Sequence, residues 1–197
     1  MKDWIAFIGD IHGEARVLDR ALFCVEDIGV DRCVFLGDYV NRGKDSKGVI
    51  ERLIRFQKNQ ECTFLRGNHD ELMVKALNDQ ESMGPFLKVG GAATIRSYLS
   101  GMGAEPNVFE QFQALVPDNH KKFLASTVAS WGTASVYATH EGPADPHRLT
   151  VLGHKVVHEV KFGEKVINID TGCGLEGGKL TVLFYPSLKI KQFSVLP

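Results

Sequence analysis

Between Val34 and Gly43 the chain reads VFLGDYVNRG: a short apolar run ends at Gly37, Asp38 follows at once, and Arg42 comes shortly after. A buried strand closed by glycine and a carboxylate delivers that carboxylate to its own carboxyl end, where open α/β sheets place their ligands. Two flanking stretches repeat the pattern. Trp4 to Gly13 (WIAFIGDIHG) closes an apolar run with Gly9, Asp10 and His12, and Thr63 to Asp70 (TFLRGNHD) closes one with Gly67, Asn68, His69 and Asp70. Three strand ends therefore offer carboxylate, amide and imidazole groups to one pocket.

Helical spacing fills the intervals. Ala15, Leu18, Ala21, Leu22 and Val25 predict a helix over Glu14 to Asp27, and Val49, Ile50, Leu53 and Ile54 predict another over Lys47 to Gln57. The resulting β-α-β-α-β order implies neighbouring parallel strands with right-handed crossovers. From Glu71 to Val128 the period stays helical (Glu71 to Leu77, Gly90 to Leu99, Asn107 to Val128 with a break at Pro117), which predicts a helical cap over roughly residues 71–128. Strands then return. Ala134 to Ala138 leads into His140, Thr150 to Leu152 into His154, and Val166 to Ile169 into Asp170, while Lys179 to Tyr185 and Leu188 to Val195 pair as a hairpin around Pro186. The expectation is one α/β domain over 1–197, built on a mixed sheet or a two-sheet sandwich.

Composition narrows the function. With 197 residues, 44% of them hydrophobic and 24% charged, the chain has the make-up of a soluble globular domain. A net charge of −1 gives no electrostatic case for a nucleic-acid partner. No apolar stretch approaches membrane-spanning length and no leader precedes the first strand, so a cytoplasmic protein without a membrane partner is expected. Cys24, Cys33, Cys62 and Cys173 form no CxxC pair and are expected as reduced thiols.

The polar residues that close apolar runs are Asp10, His12, Asp38, Asn68, His69, His140 and His154. Oxygen donors mixed with imidazole suit a divalent first-row cation such as Mn, Fe, Zn or Co, and the lack of cysteine donors argues against structural zinc. A carboxylate can bridge two ions, the arrangement that clamps both oxygens in phosphoryl hydrolysis. Metal-assisted phosphoester hydrolysis is the chemistry these residues favour.

GDIHG (Gly9 to Gly13), GDYVNRG (Gly37 to Gly43), RGNHD (Arg66 to Asp70), THEG (Thr139 to Gly142) and GHK (Gly153 to Lys155) resemble, in order, the motifs GDxHG, GDxVDRG, GNH[ED], HxG and GH of the phosphoprotein phosphatases. That family holds the Ser/Thr protein phosphatases and the bacterial diadenosine tetraphosphatases. The resemblance implies a calcineurin-like metallophosphoesterase β-sandwich flanked by helices. It also implies two divalent metal ions, with manganese the first choice and Fe, Zn or Co as alternatives. Asp10 and His12 would bind the first ion and Asn68, His140 and His154 the second, with Asp38 as bridge. His69 would be the general acid, Asn41 its neighbour in the catalytic group, and Arg42 with Asn68 would hold phosphate. Arg148, the one arginine between His140 and His154, is a further phosphate-binding candidate. A phosphoprotein or a small phosphoester is the implied substrate class, phosphoserine or phosphothreonine first and phosphotyrosine second, with hydrolysis of symmetrical dinucleoside polyphosphates as the alternative; Arg66, which matches the RGNH of the protein phosphatases, points toward phosphoproteins.

Asn41 departs from the pattern, since protein phosphatases usually have aspartate there. An amide offers the histidine a hydrogen bond but no countercharge, so acid catalysis should weaken while geometry holds. Three readings stay open: a residue tolerated as in the diadenosine tetraphosphatases, an inactivating replacement, or a chain that binds phosphoproteins with little turnover. His120, His147 and His158 match no motif and are expected at the surface.

Overall fold

The computed structural model describes residues 4–103 and 106–195. Two five-stranded sheets lie face to face. The first has the order β10-β9-β1-β2-β3, with β1 (Ile5–Ile8), β2 (Arg32–Phe35) and β3 (Cys62–Phe64) parallel, and with β9 (Lys179–Tyr185) and β10 (Lys189–Ser194) as an antiparallel hairpin on the β1 side. The second has the order β4-β5-β6-β8-β7: β5 (Val136–Thr139), β6 (Leu149–Leu152) and β8 (Val166–Asn168) run parallel, flanked by antiparallel β4 (Ser130–Gly132) and β7 (Lys161–Phe162). The sandwich expected from the sequence is present.

Side chains alternate along β1 because a strand's period is two. Ile5 and Phe7 point into the sandwich, where they share a core with Val34 and Leu36 from their own sheet and Val136, Ala138, Val151 and Ile167 from the other. Ala6 and Ile8 point the other way, into a second core shared with the helices. There α1 (Ala15–Ile28) buries Leu18, Ala21 and Val25, and α2 (Ser46–Phe56) buries Val49, Ile50 and Leu53. Each fully buried Leu, Val or Ile contributes roughly 1.5–3 kcal/mol relative to exposure.

The segment expected as a cap joins this same layer. Helices α3 (Asn68–Asn78), α4 (Met83–Lys88), α5 (Gly91–Leu99), α6 (Val108–Leu115) and α7 (Asp118–Ala125) send Met73, Phe86, Ile95, Phe112 and Leu124 into the core that α1 and α2 occupy. Helix α3 starts three residues earlier than its apolar spacing predicts. The Asp70 carboxylate accepts the Gly67 N–H at 3.0 Å, satisfying a donor that a helix start leaves orphaned, and so the helix begins at the strand's end.

His120 corrects a sequence expectation: it is buried, and its Nδ1 lies 2.8 Å from the Tyr98 hydroxyl in the packing of α5 against α7. His147 and His158 are exposed, as expected. All four cysteines are free thiols. Among the described residues no helix is long and apolar enough to cross a membrane.

Candidate metal centre

The carboxyl ends of β1, β2, β3, β5 and β6 meet at one edge of the sandwich, and nine of the ten residues singled out from the sequence arrive there. Main-chain bonds fix the first two loops together: Ile11 and His12 donate to the Asp38 carbonyl at 3.1 and 2.8 Å, and Gly43 donates to the His12 carbonyl at 2.8 Å. The third loop is held by the Asp70 carboxylate, which accepts the N–H groups of Asp38 (2.8 Å), Tyr39 (2.9 Å) and Gly67. This contact demands glycine on both sides. A Cβ on Gly37 would lie 2.5 Å from the Gly67 nitrogen, and one on Gly67 would lie 2.1 Å from Asp38 Oδ1.

Asp38 stands at the centre. His12 Nε2 is 3.5 Å from its Oδ2, His140 Nε2 is 3.6 Å from its Oδ1, and the His69 N–H donates to Oδ1 at 3.0 Å. The groups His12/Asp38/His69 and Asp38/His140/His154 each bring ligand atoms within 4.8 Å of one another. Asn68 Oδ1 completes the second group, 3.1 Å from His140 Nε2 and 3.0 Å from His154 Nδ1. Asp10 adjoins both, accepting the His154 N–H at 3.2 Å. His12, Asp38, Asn41, Arg42 and His154 all have positive φ, a strained conformation that clusters at functional sites.

The donor set fits a cation. His12 Nδ1 lies 3.0 Å from the Val40 carbonyl and His140 Nδ1 lies 2.9 Å from that of Leu36, so each ring donates its Nδ1–H outward and turns an Nε2 lone pair inward. His154 is reversed. Its Nε2 faces the Glu141 carboxylate at 3.1 Å and its Nδ1 faces the cluster. His12 Nε2 is buried without a hydrogen-bond partner, which costs free energy unless something binds there.

Electrostatics agree. Burial pushes the carboxyl of Asp10 well up, with Asp170 and Asp38 adding repulsion, and burial raises Asp38 to about 6. Burial and then the neighbouring His154 bring His140 down to about 4, while burial and Arg42 lower His12. Carboxylates that resist ionising beside imidazoles that resist protonating make a pocket short of positive charge, which a divalent cation supplies.

Further polar groups lie around this centre. Asn41 Nδ2 is 2.9 Å from His69 Nδ1, and the Asn41 Oδ1 accepts from the Thr94 hydroxyl at 2.8 Å. Arg42 has a buried Nη1 without a partner. Asp170 was legible as a strand-end residue but carried no role; it is buried, its Oδ2 is unpartnered, and it raises Asp10. Thr94 gave no signal of chemistry, lying within an ordinary helical spacing.

Arg148 is not brought to the cluster. It precedes β6, whereas His154 follows it, so the strand's length separates them; its guanidinium bonds Asp145 at 2.6 Å and the Thr133 carbonyl at 3.1 Å, over the Tyr137 ring. Arg66 is likewise engaged elsewhere, donating to Thr127 Oγ1 (3.0 Å) and to the Thr127 carbonyl (2.7 Å). An open cleft of about 570 Å³ lies between α3, α6 and α7, but its lining starts at Val74 and includes none of the cluster.

Comparison with known proteins returns a phosphoesterase framework. The chain belongs to the calcineurin-like phosphoesterase family, which it matches over residues 4–170, and it is a metallophosphoesterase hydrolase. Similar proteins include the asymmetrical bis(5'-nucleosyl)-tetraphosphatase PrpE of Oceanobacillus iheyensis, 26% identical over 92% of this chain and 88% of that protein. Serine/threonine-protein phosphatase 1 of Salmonella typhimurium is 32% identical over 41% of this chain and 37% of its own. Among solved structures, one assigned as a diadenosine tetraphosphatase superposes over 100% of this chain and 95% of that chain, with a TM-score of 0.71 and 20% identity, a likeness of fold.

Proposed function

We propose that this chain hydrolyses phosphoanhydride bonds of dinucleoside polyphosphates, with two divalent cations, manganese first among them, held in the Asp38 cluster. The observation that carries this reading is the hydrogen bond from the Asn41 amide to His69. A carboxylate at that position would stabilise a charged imidazole; an amide leaves His69 a neutral and weaker acid. Serine and threonine leave as strongly basic alkoxides and need that acid. A nucleotide leaving group is a weak base and needs it far less.

In this reading Asp10 and His12 hold one cation, Asn68, His140 and His154 the other, and Asp38 both. Bound there, such cations neutralise phosphoryl charge and acidify a water that can attack phosphorus. Arg42 grips phosphate oxygens through its free guanidinium edge, where a planar fork of donors suits an anion, and Asn68 adds an amide. His69 holds its proton on Nε2, facing the cluster, and passes it to the departing oxygen. The similarity to PrpE over nearly the whole chain supports the dinucleotide substrate. The commitment of Arg66 to Thr127 removes the feature that favoured phosphoserine.

The test is a rate comparison on manganese-loaded protein, with bound metal counted in the same sample. Diadenosine tetraphosphate should be cleaved faster than a phosphoserine or phosphotyrosine peptide. A faster rate on phosphoserine peptide would overturn the substrate, and full metal content without turnover would leave a binding module.

A further inference from the structure

Two elements that contribute no metal-facing residue converge on Asn41. Ser46 opens α2 and Thr94 sits in α5; both are fully buried. The Asn41 main-chain N–H is shared between Ser46 Oγ at 3.1 Å and Thr94 Oγ1 at 2.9 Å. The two hydroxyls are 3.0 Å apart, and the Thr94 hydroxyl donates to Asn41 Oδ1 at 2.8 Å. Thr94 has one proton to give. Once it goes to Asn41 Oδ1, the proton between the hydroxyls comes from Ser46, and the protons run one way: Ser46 to Thr94, Thr94 to Asn41, Asn41 Nδ2 to His69 Nδ1.

That direction decides where the His69 proton lies. An amide presents either an oxygen or an NH₂ to its neighbour, and the two faces demand opposite states of the ring. With NH₂ facing Nδ1, the neutral ring accepts there and carries its hydrogen on Nε2; with the oxygen facing it, the hydrogen would be drawn to Nδ1. The flip is what Thr94 opposes: a turned amide would put NH₂ against Thr94 Oγ1 and send the Thr94 proton toward Ser46 Oγ, leaving the Ser46 proton without an acceptor among the described residues.

We infer that Thr94 is a positioning residue for His69: its buried hydroxyl fixes the Asn41 amide so that the imidazole keeps its proton on the nitrogen facing the metal cluster. The kinetic consequence rests on the reading of His69 as proton donor, whereas the placement of the proton does not. Asn41 at this position is what creates the need, since a carboxylate has no wrong face.

The experiment reads the proton directly. Full-length chain labelled with ¹⁵N-histidine and loaded with zinc, a diamagnetic ion, is examined by long-range ¹H–¹⁵N correlation, with His69→Gln used to assign the signal. Wild type should show His69 as the Nε2–H form. Thr94→Val should show a mixture with Nδ1–H, Thr94→Ser should match wild type, and in an Asn41→Asp background Thr94→Val should have no such effect. Ser46 still accepts the Asn41 N–H in Thr94→Val, so the loop keeps a main-chain anchor; if that variant does not fold, Thr94→Cys, of similar size and a weak donor, carries the same expectation. An unchanged Nε2–H signal in a folded Thr94 variant lacking the hydroxyl overturns the inference.

Rates separate this from the parent reading. Thr94→Val should lose about tenfold more on an alkyl phosphate than on p-nitrophenyl phosphate, a part of the 10²–10⁴-fold that general acids supply. If His69→Gln shows no dependence on the leaving group, the acid role fails while a tautomer shift in Thr94→Val still upholds the positioning of the ring.

Discussion

Asp38 and Asp70 hold each other's loops in both directions: Asp70 Oδ2 accepts the Asp38 N–H at 2.8 Å, and Asp38 Oδ1 accepts, at 3.0 Å, the N–H of His69, the residue before Asp70. The central carboxylate of the cluster is thus placed by a second carboxylate that accepts the main-chain N–H groups of Asp38 and Tyr39. Replacing Asp70 with alanine removes the acceptor of three main-chain donors at once. A buried main-chain donor left unpaired costs about 1–3 kcal/mol, and the three share one acceptor, so a loss of about 3–5 kcal/mol is expected. Chemical denaturation of metal-free protein measures it, and a midpoint equal to wild type would refute the role.

Acid and metal should act on stability together. Asp38 has a folded pKa of about 6 against an ordinary 3.8, so the folded chain holds that proton more tightly than the unfolded one. Its contribution is present below about pH 4 and is lost as pH rises through about 6. His140, at about 4 against 6.5, works the other way: its contribution is present above 6.5 and is lost as pH falls toward 4. Between about pH 4 and 6 the two changes run in opposite directions and nearly offset one another, so these two groups should leave the melting temperature of metal-free protein almost level across that interval. Added manganese should raise the melting temperature most at the alkaline end, where Asp38 is ionised. Equal manganese shifts at pH 5 and pH 8 would count against Asp38 as a ligand.

Restoring a carboxylate beside His69 should change which substrates react. Asn41→Asp is expected to raise turnover of an alkyl phosphate by about ten- to hundredfold and to leave p-nitrophenyl phosphate within about threefold. Steady-state kinetics on the two esters decide it. No gain on the alkyl ester would show that the amide is not what limits the acid.

The two candidate arginines should separate cleanly. Arg42→Ala should cut kcat/KM by about 10²–10³-fold, the loss expected for one preorganised donor on a reacting oxyanion. Arg148→Ala should leave kcat/KM within about twofold, because Arg148 spends its donors on Asp145 and Thr133 at the far end of β6. A large effect of Arg148→Ala would mean that the loop before β6 reaches the phosphate.

Asp10, Asp38, His140 and His154 were legible because each closes an apolar strand, and a strand's direction is fixed by the chain that follows it. The same rule marked Asp170 without assigning it anything. Arg148 misled because it was the one arginine in the interval between His140 and His154; a four-residue strand separates it from His154 and puts the two at opposite ends. His120 misled because a lone polar residue in a helix is usually solvated, and its Tyr98 partner lies in another helix. Thr94 was invisible for a related reason. Its importance lies in the direction of one hydroxyl proton, which depends on Asn41, 53 positions away.

The candidate ligands come from both sheets: Asp10, Asp38 and Asn68 from the ends of the first, His140 and His154 from the ends of the second. Between the sheets themselves there is mainly apolar contact. Cations gripped by both would act as a removable cross-link, fastening segments far apart in the chain much as a disulfide does, with the greatest loop-closure benefit for such distant partners. Chelation would then do more than stop turnover. It would unfasten one sheet from the other, and amide exchange along β5 and β6 would quicken before that of β1 and β2.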